Sequence, residues 1–155
     1  LRLAEIPNIA GDKEANADLA AAGRLIEARP DFLIWSGNDS DNFHLWCLGA
    51  YGAISVTGHL VAGQQQRMFR AIQEGRITEA AAIHRRLQPL TDACFLNGNP
   101  SSIRYALRTL GVPIGQPRLP VVEPDEAMGA RIMAEVSRHT LDIDIAAAQA
   151  ASVVG

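Results

Sequence analysis

Residues 9–39, IAGDKEANADLAAAGRLIEARPDFLIWSGND, change rhythm twice. The opening NIAGDKEA reads as a short strand. From Asn16 or Asp18, both good N-caps, Leu19, Ala22, Leu25 and Ile26 then recur at the spacing of one helical face, and the pattern stops before Pro30. A second strand follows in DFLIWSGND. Strands that alternate with helices at this spacing imply βαβ units, and hence a parallel sheet with right-handed crossovers. Along the first strand a period of two puts Ile9, Gly11 and Lys13 on one face and Ala10, Asp12 and Glu14 on the other.

The alternation continues outward. SDNFHLWCLGAYG (40–52) opens with the candidate caps Ser40 and Asp41 and reaches a natural helix end at Gly49. AISVTGH (53–59), rich in β-branched residues, is a third strand. Helical periodicity then covers AGQQQRMFRAIQEG (62–75), ITEAAAIHRRLQPLTDACFL (77–96), PSSIRYALRTLG (100–111) and, as the last helix, PDEAMGARIMAEVSRHT (124–140). At the other end LRLAEIP (1–7) looks like the tail of a helix stopped by Pro7.

Composition removes several classes of function. The 155 residues suit one domain, and 48% hydrophobic content is enough to bury a core. A net charge of −3, with no basic stretch interleaved with aromatics, gives nucleic acid little to hold. Cys47 and Cys94 lack CxxC spacing and sit in apolar settings typical of reduced core thiols, which suits a cytoplasmic protein. Neither a membrane-length apolar run nor a signal-peptide pattern is visible. His44, His59, His84 and His139 are scattered without metal-ligand spacing, and phosphate loops and nucleophile elbows are absent. The expectation is therefore no metal, no cofactor, no nucleic-acid partner and no membrane.

Lys13 supports two readings. A lysine at the C-terminal end of a strand is ordinarily a solvated charge. Strand C-termini are also where catalytic groups collect in α/β barrels, and a neutral amine facing a barrel interior is a nucleophile toward ketones. Spacing alone does not choose. WSGNDS (35–40) and GAYGAISVTGH (49–59) place glycines at strand ends, as ligand approaches or as tight turns, and NGNP (97–100) is a turn before a helix.

In order, IPNIAGDKEANADL, FLIWSGNDS, LGAYGAISVTGHL, EGRITEAAAIHRRLQPLTDACF, GNP before a helix, and LRTLGVPIGQPRLPV resemble the second half of the dihydrodipicolinate synthase/N-acetylneuraminate lyase family, over about residues 6–122. The resemblance implies an α/β fold, the second half of a (β/α)8 barrel with about three parallel strands and a C-terminal helical extension. Residues 1–60 would be the partial barrel, equivalent to its strands six to eight. Residues 61–155 would be the final barrel helix and the extension.

It also implies a chemistry. GDKEA matches the family's Schiff-base strand, so Lys13 takes the catalytic role, and Ile54 in GAISV matches the residue whose backbone contacts the keto acid. Ser36, Gly37 and Asn38 match the family's SGDD strand end and should line the pocket floor or rim; an acid usually stands where Asn38 is. Asp12 also departs from the aliphatic residue usual there, and is expected to find a partner such as Arg24 or to meet solvent. The implied activity is a Schiff-base lyase or synthase joining pyruvate to an aldehyde, most nearly the synthase that uses aspartate semialdehyde on the path to lysine. Alternatives are a sugar-acid aldolase or dehydratase of the same family, and a non-catalytic half-barrel interaction module. Small-molecule substrates and a homo-oligomer are the implied partners. A complete barrel takes about 250 residues, so the chain, which starts at Leu rather than Met, is expected to be a fragment, inactive alone.

Overall fold

A computed structural model describes residues 2–151. Three short strands, β1 (Gly11–Glu14), β2 (Leu33–Ser36) and β3 (Gly52–Ala53), form one parallel sheet in the order β1-β2-β3. Helices α1 (Leu19–Ala28) and α2 (Asn42–Cys47) lie on the crossovers between them. Then come α3 (Gly58–Gln73), α4 (Ile77–Phe95), α5 (Ser101–Thr109), α6 (Glu126–Val136) and α7 (Ile145–Ala151).

The chain divides into two compact units, residues 2–55 with 65–84, and residues 56–64 with 85–151. The first holds the sheet. Ile34 and Ser36 of β2 are buried while Leu33 and Trp35 are only half-buried, so one face of the sheet carries the core and the other is open. α1 and α2 supply Ala22, Leu45 and Trp46 to that core. In the second unit Leu87, Leu90 and Cys94 of α4, Ile103 and Leu107 of α5, and Ile132 and Val136 of α6 are buried. There Tyr105 of α5 lies over Gly129 of α6, with its Cζ 2.5 Å from where a Cβ on that glycine would sit.

The local signals work as the sequence indicates in several places. Asp18 caps α1, accepting from Ala21 N at 2.8 Å, while Asn16 makes a turn to Asp18 N at 2.7 Å. Asp125 caps α6 through Met128 N at 2.8 Å. Gly49 ends α2 with φ of +98°.

Other details differ. Ser40 and Asp41 make no side-chain cap, because α2 is entered through a 3-10 turn at Asp39–Asp41. β3 lies earlier than its β-branched residues suggest, since the ladder is set by Tyr51 N to Ile34 O and Ile54 N to Ser36 O, both 2.8 Å. α3 starts at Gly58 and bends at Val61, whose φ and ψ are −137° and 34°. The first residues form a 3-10 turn at Arg2–Glu5, and α7 follows the helix expected to be last. Cys94 is buried as a core thiol should be, but Cys47 is exposed at the end of α2.

Candidate active site

β1, with the sequence GDKE, has little strand propensity of its own, and its neighbour holds it in place. Leu33 N donates to Ala10 O at 3.0 Å and Gly37 N to Glu14 O at 2.7 Å, so β2 fixes the backbone on both sides of Lys13. The register pairs Lys13 with Trp35 and Gly11 with Leu33. Asp12 is exposed, the solvent outcome of the two expected for it.

Glycines at the strand ends permit the close approaches this arrangement needs. A Cβ on Gly37 would stand 2.9 Å from Lys13 Cγ and 2.8 Å from Glu14 O. The stem of Lys13 therefore lies against the Gly37 backbone. A Cβ on Gly11 would overlap Leu33 O and come within 2.5 Å of Trp35 Cζ3, and one on Gly52 would sit 3.3 Å from Trp35 Cδ1. The Trp35 indole thus spans the sheet between two glycines, and it meets Tyr51 edge-on at 5.4 Å. From the other face Trp46 of α2 donates Nε1–H to Gly52 O at 2.9 Å and holds β3.

The open face and the C-terminal strand ends present Lys13 and Ile54, both exposed, with Ile54 49% accessible. Gly37 lies under Lys13. Asn38 donates from Nδ2 to Ala15 O and to Asp41 Oδ2, each at 3.1 Å, linking the loop after β2 to the end of β1. A carboxylate could not make either donation. Ser36 is 1% accessible and points the other way, its hydroxyl donating to Asn38 O at 2.9 Å. Its share in a pocket is limited to backbone and loop shape.

A buried polar cluster next to these residues was not singled out from the sequence. Asp39 is 5% accessible and its Oδ1 accepts from Asn42 Nδ2 at 3.1 Å, from Gln65 Nε2 at 3.1 Å and from the Ser55 hydroxyl. Gln65 Nε2 also reaches Ser55 Oγ at 2.9 Å. Trp35 was likewise overlooked. Trp35 and Asp39 both lie in WSGNDS, within two residues of Gly37, but the Asp39 partners Asn42, Ser55 and Gln65 lie outside that stretch, so no local signal marks the cluster. Among the described residues no group of three His, Cys, Asp or Glu is arranged to hold a metal ion, and no helix is long and apolar enough to cross a membrane.

Known proteins resemble this chain in sequence and fold. Residues 1–139 match the model of the dihydrodipicolinate synthetase family. The 4-hydroxy-tetrahydrodipicolinate synthase of Dehalococcoides mccartyi is 45% identical over 146 residues, which are 94% of this chain and 49% of that protein. The synthase of the same name from Moorella thermoacetica is 46% identical over 123 residues, 79% of this chain and 42% of its own. Among solved structures, dihydrodipicolinate synthase from Cyanidioschyzon merolae with lysine bound superposes with a TM-score of 0.83 at 35% identity, covering 88% of this chain and 47% of that one. The Thermotoga maritima enzyme gives 0.81 at 32% identity over 88% and 48%. The chain thus spans about half the length of the relatives it matches, and its architecture is the second half of a (β/α)8 barrel with a C-terminal helical extension.

Proposed function

This chain belongs to the dihydrodipicolinate synthetase family, and we propose that within a complete barrel it works as a Schiff-base synthase in which Lys13 captures pyruvate. The observation that carries the reading is the placement of Lys13: on the open sheet face, at the C-terminal end of β1, with its stem on Gly37 and with Ile54 at the end of β3, on the far side of β2. Groups that act in barrel enzymes gather at this end of the strands.

The chemistry balances with lysine alone as the covalent partner. The neutral amine adds to the C2 carbonyl of the keto acid, and the carbinolamine loses water to give an iminium. That cation withdraws electrons and acidifies the C3 methyl, whose proton leaves to form an enamine. The enamine carbon then attacks an aldehyde, whose oxygen takes up a proton; where that aldehyde carries its own amine, the amine adds to the regenerated iminium carbon and expels the lysine amine, closing a ring, and otherwise water releases an open-chain product. The names borne by the relatives support 4-hydroxy-tetrahydrodipicolinate as product, and the family resemblance implies aspartate semialdehyde as the aldehyde. Ile54 N–H is engaged by Ser36 O, so a bound keto acid meets the carbonyl edge of Ile54. Gly37 and Asn38 shape the rim, and Ser36 supports it from behind. Partner copies of the chain and a cytoplasmic setting belong to the same reading.

Borohydride trapping tests it. The polypeptide expressed from its full coding sequence is expected to gain one reduced pyruvate adduct, mapped by mass to the peptide containing Lys13. Lys13→Ala removes the adduct, and so does Lys13→Arg, because a guanidinium stays protonated and forms no imine. An adduct on a different lysine, or none with several 2-keto acids, overturns the assignment.

A further inference from the structure

We infer that Asp39 is a positioning residue: through the hydroxyl of Ser55 it sets the plane of the Ile54–Ser55 peptide, and so the direction in which the Ile54 carbonyl faces a bound keto acid. The inference rests on the Schiff-base reading and names the device that orients one wall of that site.

A carboxylate that is 5% accessible is costly to bury unless donors surround it. Asn42 in α2, Ser55 after β3 and Gln65 in α3 each donate to Asp39. Hydrogen bonds to a charged acceptor are stronger and more directional than neutral ones, so the Ser55 side chain has one preferred position. Gln65 also touches Ser55 Oγ, which removes a second direction of escape.

The consequence for Ile54 is covalent. The carbonyl of Ile54 and the amide of Ser55 belong to one planar unit. The residues on either side of it are both held: Ile54 N–H is tied to Ser36 O at 2.8 Å, and the Ser55 hydroxyl is tied to Asp39. With both anchors in place the peptide between them cannot rotate freely. Without the second, the carbonyl loses one restraint on its direction while β3 keeps its ladder bonds. Asp39 itself lies two residues beyond Gly37, so the same carboxylate relates the Lys13 side of the site to the Ile54 side.

The experiment uses the polypeptide from its full coding sequence and measures the pyruvate concentration that half-saturates borohydride-trapped adduct on Lys13, the amount trapped at saturation, and the melting temperature. Ser55→Ala and Asp39→Asn are expected to raise half-saturation about tenfold, the size of one lost oriented contact, with trapping at saturating pyruvate close to wild type. Ser55→Thr, which keeps the hydroxyl, restores most of the affinity. A purely structural role predicts a lower melting temperature and less adduct in total with half-saturation unchanged, and that result overturns the inference. If Asp39→Asn does not fold, the Ser55→Ala and Ser55→Thr pair decides alone. A wild-type protein that forms no adduct on Lys13 overturns the Schiff-base reading and this inference with it; an adduct whose half-saturation ignores Ser55 overturns only the inference.

Discussion

Replacing Gly37 by alanine adds a single carbon where the structure has no room for one. The new Cβ would lie 2.9 Å from Lys13 Cγ, 2.9 Å from Ala15 Cβ and 2.8 Å from Glu14 O. Carbon pairs are comfortable at about 3.5–4.0 Å, so the two carbon contacts are each short by roughly 0.6 Å or more. Two of the three obstacles are a backbone oxygen and a Cβ, which cannot turn away, and the third is near the root of the lysine rather than its tip. Relief requires β1 to part from the loop after β2, at the expense of the 2.7 Å bond from Gly37 N to Glu14 O. Overpacking of this kind costs about 1–3 kcal/mol. The displacement also carries the Lys13 amine away from its place, and misplacing a reacting group by about 1 Å costs on the order of a hundredfold in rate. The assay is the rate of borohydride-trapped pyruvate adduct together with a urea melt. Gly23→Ala serves as the control: its Cβ would meet nothing closer than Leu48 Cδ2 at 3.9 Å, and in the interior of α1 it is expected to stabilise by about 0.5–1 kcal/mol. Wild-type stability and wild-type trapping in Gly37→Ala would refute the reasoning, because they would mean that the lysine stem does not rest on that glycine.

Asn38→Asp, which restores the acid usual in the family, removes the donor to Ala15 O and sets a second negative charge beside Asp41; the expected loss is about 1 kcal/mol in a urea melt, larger at low salt than at high. Arg108 holds the Glu123 carboxyl below the usual carboxylate range, chiefly through their side-chain hydrogen bonds. Because the folded-state value is the lower one, the pair's contribution is complete above the unfolded carboxylate's range and fades as pH falls through the folded value. Arg108→Gln should therefore lower stability by about 1 kcal/mol or less at neutral pH and flatten the acid limb of a pH–stability curve below about pH 5; an unchanged limb would contradict the pairing.

Much of the fold is legible because each strand–helix boundary carries its own chemistry. Asp18 before an amphipathic run, Pro30 after it and Gly49 at a left-handed helix end are local devices, and they act the same way in the fold as in isolation. β3 was displaced for the opposite reason. Its backbone pairing is decided by β2, so the ladder closes at Gly52–Ala53 although the β-branched residues come later. Sequence propensity describes the strand itself, and register belongs to the pair.

The site divides along the same line. Lys13, Gly37 and Ile54 are proposed because GDKEA, SGND and GAISV resemble a family's strand ends, whereas spacing by itself leaves Lys13 between a solvated charge and a nucleophile. Asp39 could not be picked out in this way, since its meaning comes from residues 16 and 26 positions further along, Ser55 and Gln65, that approach it only after the third strand has paired. Read locally, the run Asn38-Asp39-Ser40-Asp41 offers four interchangeable capping residues. Folded, one is buried among donors that include Asn42, Ser55 and Gln65 and another bridges two loops, while neither Ser40 nor Asp41 makes a side-chain cap. Burial breaks the equivalence, because only the carboxylate withdrawn from water needs every donor it has. A polar cluster of that kind is therefore written in the tertiary structure, and Ser55, one of the residues it holds, supplies the amide of the peptide on which the proposed keto-acid contact depends.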